Sequence, residues 1–94
     1  MVTKTSAWGD AAEHVEATLL RAEMDAALRG EAQVESFVID HPSGFVAVKV
    51  RLPHGLSRAA RSSRRDWVQD RLASVVEEAF TDEGLVLAPI LVLA

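Results

Sequence analysis

Two stretches of the chain repeat apolar residues at intervals of three and four, which is the spacing of one face of an α-helix. The first helix is expected to begin near Asp10, whose carboxylate can cap free amides, and to end at Arg29-Gly30. The second is expected to begin at Arg64, because Ser63 and the acidic residue three positions later fit a capping box. The residues from Ser57 to Ser63 are compatible with a loop or with a first helical turn. The apolar stripe of the second helix is formed by Val68, Leu72, Val75, Val76, Ala79 and Phe80.

Three other stretches have the composition of β-strands. Residues 34–40 are rich in β-branched and aromatic residues, and Phe45 to Leu52 alternates between two faces. The segment from Asp40 to Gly44 has the proline and glycine of a turn, so these two strands are predicted to form an antiparallel hairpin. A last strand, Leu85 to Leu93, is apolar on both faces. Pro89 within it indicates an edge, a bulge or the end of the strand.

The resulting order, α-β-β-α-β, predicts an α+β fold with two layers, in which a small three-stranded sheet carries two helices on one face. A length of 94 residues allows one domain. We therefore expect residues 1–9 to be a flexible leader and residues 10–94 to be a single α+β domain. Val46, Val48 and Val50 are expected to share one core with the stripe of the second helix.

Composition narrows the class of protein. Apolar residues make up 49% and charged residues 26% of the chain, a balance typical of a globular domain and not of a disordered or fibrous one. Cysteine is absent, so no disulfide framework is expected, and a cytoplasmic location fits this. No apolar run approaches the roughly 20 residues that span a bilayer, and no secretory signal is recognisable, so no membrane span is expected.

The histidines and carboxylates do not form a pattern with a known chemistry. His14 has Thr18 where a second metal ligand would stand one turn later, and His41 and His54 are expected at opposite ends of a strand. The acidic pairs lie on helix faces that are predicted to be solvated. No nucleophile elbow, phosphate-binding loop or dinucleotide fingerprint occurs. The sequence therefore predicts no enzyme, with no catalytic residue, metal, cofactor or small-molecule substrate.

Charge is unevenly distributed along the chain. The segment from Lys49 to Arg71 has seven basic and two acidic residues, a formal charge of +5, whereas the rest of the chain has a charge of −9. Such a basic segment on an acidic protein can contact phosphate or an acidic partner. The first four arginines of the second helix region are expected to be exposed and unpaired. The candidate residues for binding nucleic acid or an acidic partner are Lys49, Arg51, Arg58, Arg61, Arg64 and Arg65.

The apolar last strand predicts an uncovered surface. Because alternate residues of a strand face opposite ways, two helices on one side leave half of them without cover. Regular alternation would place Leu91 and Leu93 on one face and Val86 and Val92 on the other. A tryptophan in the leader and one of two phenylalanines in the hairpin are expected to contribute. The candidate residues for self-association or for a partner surface are Trp8, Phe37, Phe45, Leu87, Leu91 and Leu93.

The second half of the chain resembles the alkaline shock protein family of Gram-positive envelope stress proteins. That family has a long helix with spaced valines, a glycine-leucine step and a final valine-rich strand. The similar residues here are Val68, Leu72, Val75, Val76, Glu77 and Gly84-Leu85. The first helix departs from the small-residue pattern of the family, so the resemblance covers about the last half.

In topology the whole chain also resembles ribosome-binding factor A, a KH-like domain with the same order of elements. The basic second half of the chain suits the RNA partner that this resemblance implies. The acidic first helix and the net charge of −4 do not fit it. Neither resemblance transfers a catalytic or binding residue to this chain.

Three hypotheses for function follow. The first is a non-enzymatic interaction or assembly module that self-associates through its sheet face or its last strand, or binds a protein partner there. The alternative is a KH-like RNA- or ribosome-binding protein that uses the stretch from Arg58 to Arg65. A further alternative is a small structural subunit of a larger particle. The sequence favours the first, because its apolar last strand needs a cover.

Overall fold

The computed structural model describes residues 5–93, with side chains from residue 17 onwards. Its elements follow the predicted order, except that the last strand is divided in two. They are α1 (Thr5–Leu28), β1 (Gln33–Asp40), β2 (Phe45–Arg51), α2 (Arg58–Ala79), β3 (Val86–Leu87) and β4 (Leu91–Leu93). The predicted α+β class is confirmed. Neither helix in the described part of the chain combines the length and apolar character that a membrane span requires.

The sheet is mixed, and β2 lies at its centre. On one side β1 pairs antiparallel with β2, which gives the predicted hairpin. The turn between them closes with a hydrogen bond of 2.9 Å from the Gly44 amide to the Asp40 carbonyl, and Gly44 has the positive φ of 87° that glycine tolerates. On the other side β3 and β4 both pair with β2 in parallel, as the α2 crossover requires.

The last strand is divided because it contains one residue more than β2 along the same length. Phe45 pairs with Val86, but four residues later Lys49 pairs with Leu91, so five residues of the last strand match four of β2. Pro89 lies within this bulge and has no amide hydrogen to donate to the sheet. Of the three alternatives that the proline left open, the bulge is correct, and the sheet has four strands instead of three.

The side chain of Gln69 on α2 completes the hydrogen bonding of this bulge. Its Oε1 accepts a hydrogen bond of 2.8 Å from the Ile90 amide, and its Nε2 donates one of 3.4 Å to the Ala88 carbonyl. A single carboxamide thus satisfies two backbone groups that the interrupted strand leaves unpaired. The bulge is therefore stabilised by a residue about twenty positions earlier in the chain.

The core lies between one face of the sheet and the two helices. Val46, Val48 and Val50 of β2 are buried, whereas the residues between them are exposed. They form one cluster with three residues of each helix, which confirms that both helices cover the same face. The helix residues are Leu20, Met24, Leu28, Val68, Leu72 and Val76.

Both helices begin earlier than predicted. α1 begins at Thr5 instead of Asp10, so residues 5–9 of the expected leader are helical. α2 begins at Arg58 with Ser57 as its N-cap, because the Ser57 hydroxyl accepts a hydrogen bond of 3.1 Å from the Ala60 amide. The prediction of a cap at Ser63 was wrong. Alanine and arginine are strong helix formers, and they extend the helix through the segment before Ser63.

Candidate interaction surfaces

The sheet face that the helices do not cover is called here the open face. It carries Ser36, Val38 and Asp40 of β1, Phe45, Ala47 and Lys49 of β2, and Val86 and Leu91 of the last strand. Five large apolar side chains in the described part of the chain are exposed, and four of them lie on this face. Their exposed fractions are 63% for Val38, 40% for Phe45, 53% for Val86 and 55% for Leu91. The fifth, Leu19 at 63%, lies on α1.

The pairing of the strands arranges the open face in rows. At one end of the face Phe45 stands between Asp40 and Val86, and toward the other end Lys49 stands between Ser36 and Leu91. Val38 and Ala47 form the row between these two. The face therefore has an apolar centre, with a carboxylate at one end and an ammonium group at the other.

The structure sorts the predicted partner-surface residues into three groups. Phe45 and Leu91 lie on the open face, and half-buried Leu93 follows Leu91 on the same strand. Phe37 and Leu87 pack against the core, because each is paired with a buried valine of β2. The sixth candidate, Trp8, lies outside the residues whose side chains are described.

One assignment of faces was wrong. Val86 was expected opposite Leu91, but both are exposed on the open face. The extra residue in the bulge reverses the alternation between β3 and β4, so two residues five positions apart face the same way. Val38 was not selected from the sequence, although the hairpin register, with Asp40 paired to Phe45, places it opposite Ala47.

The predicted basic residues are not one surface. Lys49 lies on the open face, and the Nε of Arg51 is 3.0 Å from a carboxylate oxygen of Glu35. Arg64 donates to the Glu31 carbonyl at 2.7 Å and lies 3.0 Å from the carboxylate of the same residue. Arg61 donates to the Leu93 carbonyl at 3.2 Å. The prediction of exposed, unpaired arginines is therefore wrong for Arg61 and Arg64, because residues distant in sequence meet them in the fold.

Three basic residues of α2 border a shallow groove at the end of the sheet. Arg58, Arg61 and Arg65 line it together with Ser62, and Leu52 and Val92 are its apolar residues. Arg58 and Arg65 are exposed, and no ion pair joins either of them to a carboxylate in the described part of the chain. We call this feature the arginine groove. It has no acidic residue in its lining.

The two histidines whose side chains are described lie apart from these surfaces. His41 in the hairpin turn lies edge-on to Phe80, with 6.3 Å between the ring centroids. His54 lines a separate depression beside the start of β1, with Arg51 as the other ionisable residue there. Within residues 17–93 no group of three potential metal ligands occurs, and no polar or charged residue is buried.

Comparison of the chain with protein-family models, with curated proteins and with solved structures found no match. The two family resemblances given above therefore stay hypotheses. The open face and the arginine groove are the two candidate sites on which proposals about function can be based.

Proposed function

We propose that this protein is a non-enzymatic assembly module that self-associates through the open face of its sheet. The observation that supports this most strongly is the concentration of exposed apolar residues on that face: Val38, Phe45, Val86 and Leu91. Single exposed apolar residues are ordinary, but a contiguous group of them on a regular surface is typical of an interface.

The arrangement of charge favours a second copy of the chain as the occupant. Consider a two-fold axis that lies in the plane of the interface, runs along the row of Val38 and Ala47, and is perpendicular to the strands. This axis would place each end of the open face over the opposite end of the open face of the second copy. Lys49 would then lie over Phe45 of the other copy, beside the Asp40 that is paired with this phenylalanine. An ammonium group is attracted both by a carboxylate and by the face of an aromatic ring. The open face is thus complementary to itself, as a two-fold interface requires.

The same arrangement matches the apolar residues. Leu91 would oppose Val86 of the other copy, and the two Val38 side chains would meet near the axis. The small side chain of Ala47 at the centre permits the separation of about 10 Å at which sheets pack face to face. A phenylalanine or leucine at that position would hold the two sheets apart.

The size of the face indicates how stable such a dimer is. Three strands at about 4.8 Å and seven residues at about 3.4 Å give a face of roughly 14 by 24 Å. Two such faces bury less than the roughly 1,200–2,000 Å² of a standard stable interface. We therefore expect a dimer that dissociates on dilution.

Light scattering after size-exclusion chromatography, over a series of concentrations, tests this proposal. The wild-type protein should change from monomer to dimer as its concentration rises, and 1 M salt should not abolish the dimer, because its contacts are mainly apolar. The double variant Val38→Ser/Leu91→Ser should remain a monomer. A larger, closed oligomer would instead favour a subunit of a larger particle.

Leu19→Ser is the matched control, because Leu19 and Val38 are exposed to the same fraction of 63% but lie on different elements. It should dimerise like the wild type. A wild-type monomer at high micromolar concentration, or equal losses in the control and in the double variant, would refute self-association through the open face.

A further inference from the structure

The stripe of α2 that faces the core is apolar in the C-terminal part of the helix, and its continuation toward the N-terminus is basic. Val68, Leu72 and Val76 face the core, and continuing their spacing toward the N-terminus by three and four residues leads to Arg65, Arg61 and Arg58. Positions that would extend the apolar stripe are thus occupied by three arginines. They lie beyond the buried stripe and line a groove that includes Leu52 and Val92.

Arg61 is held in place, whereas its two neighbours are not. Its guanidinium donates to the Leu93 carbonyl, which directs a half-buried cation toward the end of the last strand. Arg58 and Arg65 are exposed on either side of it. The nearest acidic residue along the helix, Asp66, is exposed and lies about 100° around the helix axis from Arg65.

Four other arginines have partners within the described part of the chain and so differ from these two. Arg21 has Asp25, Arg51 has Glu35 and Arg64 has Glu31 within 4.0 Å. Arg71 donates to the Ala27 carbonyl and lies over the Trp67 ring at 5.5 Å. In the described part of the chain, the arginine groove therefore brings together three arginines of the basic segment, none of which has a carboxylate partner.

We infer that the arginine groove binds the phosphate groups of a single-stranded nucleic acid. Guanidinium groups fit phosphate through two parallel hydrogen bonds, and the three arginines span about 10 Å along two turns of the helix. The side chains of the lining offer the donors of three guanidinium groups and one hydroxyl, but no carboxylate or carboxamide. A phosphodiester backbone presents only acceptors to such a surface. An acidic peptide also presents amide hydrogens, and among the lining side chains only the Ser62 hydroxyl could accept from them.

The groove predicts weak binding without sequence preference. It has no aromatic side chain on which a base could stack, so contacts to phosphate supply the affinity. Three phosphate contacts predict a slope of about −2 for the logarithm of the binding constant against the logarithm of salt concentration. The net charge of −4 opposes binding at long range, which makes low salt the condition to test.

Fluorescence anisotropy with a labelled single-stranded RNA of about 12 nucleotides tests this inference. Arg58→Gln and Arg65→Gln should each reduce the salt slope by about 0.7, and the double variant should weaken binding roughly tenfold at low salt. Melting temperatures should not change, because both side chains are exposed. Arg29→Gln removes the same charge at the end of α1, outside the groove, and should bind like the wild type.

Three results would overturn the inference. They are no binding by the wild type at low salt, an equal loss of affinity in Arg29→Gln, and displacement of the RNA by polyglutamate or inorganic phosphate at equal charge concentration. These results do not depend on self-association, because the arginine groove lies at the N-terminal end of α2 and not on the open face. A dimer that does not bind RNA would contradict this inference alone.

Discussion

The two faces of β2 have the same backbone and opposite surroundings. Val46, Val48 and Val50 are buried under two helices, whereas Phe45, Ala47 and Lys49 alternate with them on the open face. In an ordinary two-layer domain the second set would be polar. Here only Lys49 of the three is charged, and exposed apolar residues of β1, β3 and β4 stand beside it. One face of β2 is thus buried within the chain, and the apolar character of the other is the basis of the proposed self-association.

The largest expected effect comes from placing a charge on each face in turn. Val48→Asp would bury a carboxylate without a partner and should destabilise the domain by about 4 kcal/mol or more, which unfolds it. Ala47→Asp, one residue earlier, should retain the melting temperature of the monomer and abolish the dimer. Thermal denaturation followed by circular dichroism measures the stability of both variants, and light scattering measures the loss of the dimer. A stable Val48→Asp protein would contradict the register of β2.

The next effect concerns the bulge that divides the last strand. Gln69→Leu removes both side-chain hydrogen bonds to the bulge and leaves the Ile90 amide and the Ala88 carbonyl unsatisfied. The free energy of unfolding should fall by about 1–3 kcal/mol. Gln69→Glu keeps an acceptor for Ile90 and should cost less. Chemical denaturation gives both values. Equal stability of all three proteins would mean that solvent satisfies these groups.

A third test separates the faces of β3. Leu87→Ser should lower stability by about 1–2 kcal/mol, because Leu87 packs against the core. Val86→Ser should change the stability of the monomer by no more than about 0.5 kcal/mol and weaken the dimer. The reverse result would show that alternation continues through Pro89 without a bulge.

The smallest expected effect is the charge pair proposed across the dimer. Lys49→Asp should weaken the dimer several-fold, since an exposed pair contributes about 0.2–1 kcal/mol and the dimer contains two such pairs. Adding Asp40→Lys should restore part of the affinity. Analytical ultracentrifugation at two salt concentrations measures this coupling. Additive losses in the double variant would reject the proposed two-fold arrangement.

Local patterns in the sequence predicted most of the fold. Periodicity located both helices, alternation located β2, and turn residues located the hairpin, because each depends on neighbours within a few residues. The hydrogen bonding of the bulge that divides the last strand involves Gln69, which no local pattern connects with Ile90. From the local sequence, Pro89 predicted an edge, a bulge or the end of the strand, without a choice among the three.

The candidate sites were less predictable for the same reason. The sequence showed seven basic residues close together, but it did not show that Arg64 meets Glu31, 33 positions away, or that Arg61 meets Leu93, 32 positions away. Because of such contacts, the candidate binding site is the arginine groove and not the whole basic segment. The faces of Val86 and Leu91 likewise depended on a bulge that shifts the register by one residue.

Cross-linking through a single introduced cysteine tests self-association through the open face most directly, because the chain contains no cysteine of its own. Ala47→Cys lies near the proposed axis and points toward the other copy, so its two thiols should be close enough to form a disulfide under mild oxidation. Leu19→Cys, which is also exposed but lies on α1, should give little product. Rapid cross-linking of Ala47→Cys with little for Leu19→Cys is the predicted result. Equal yields at the two positions, or none at position 47 while the protein is dimeric, would contradict the account.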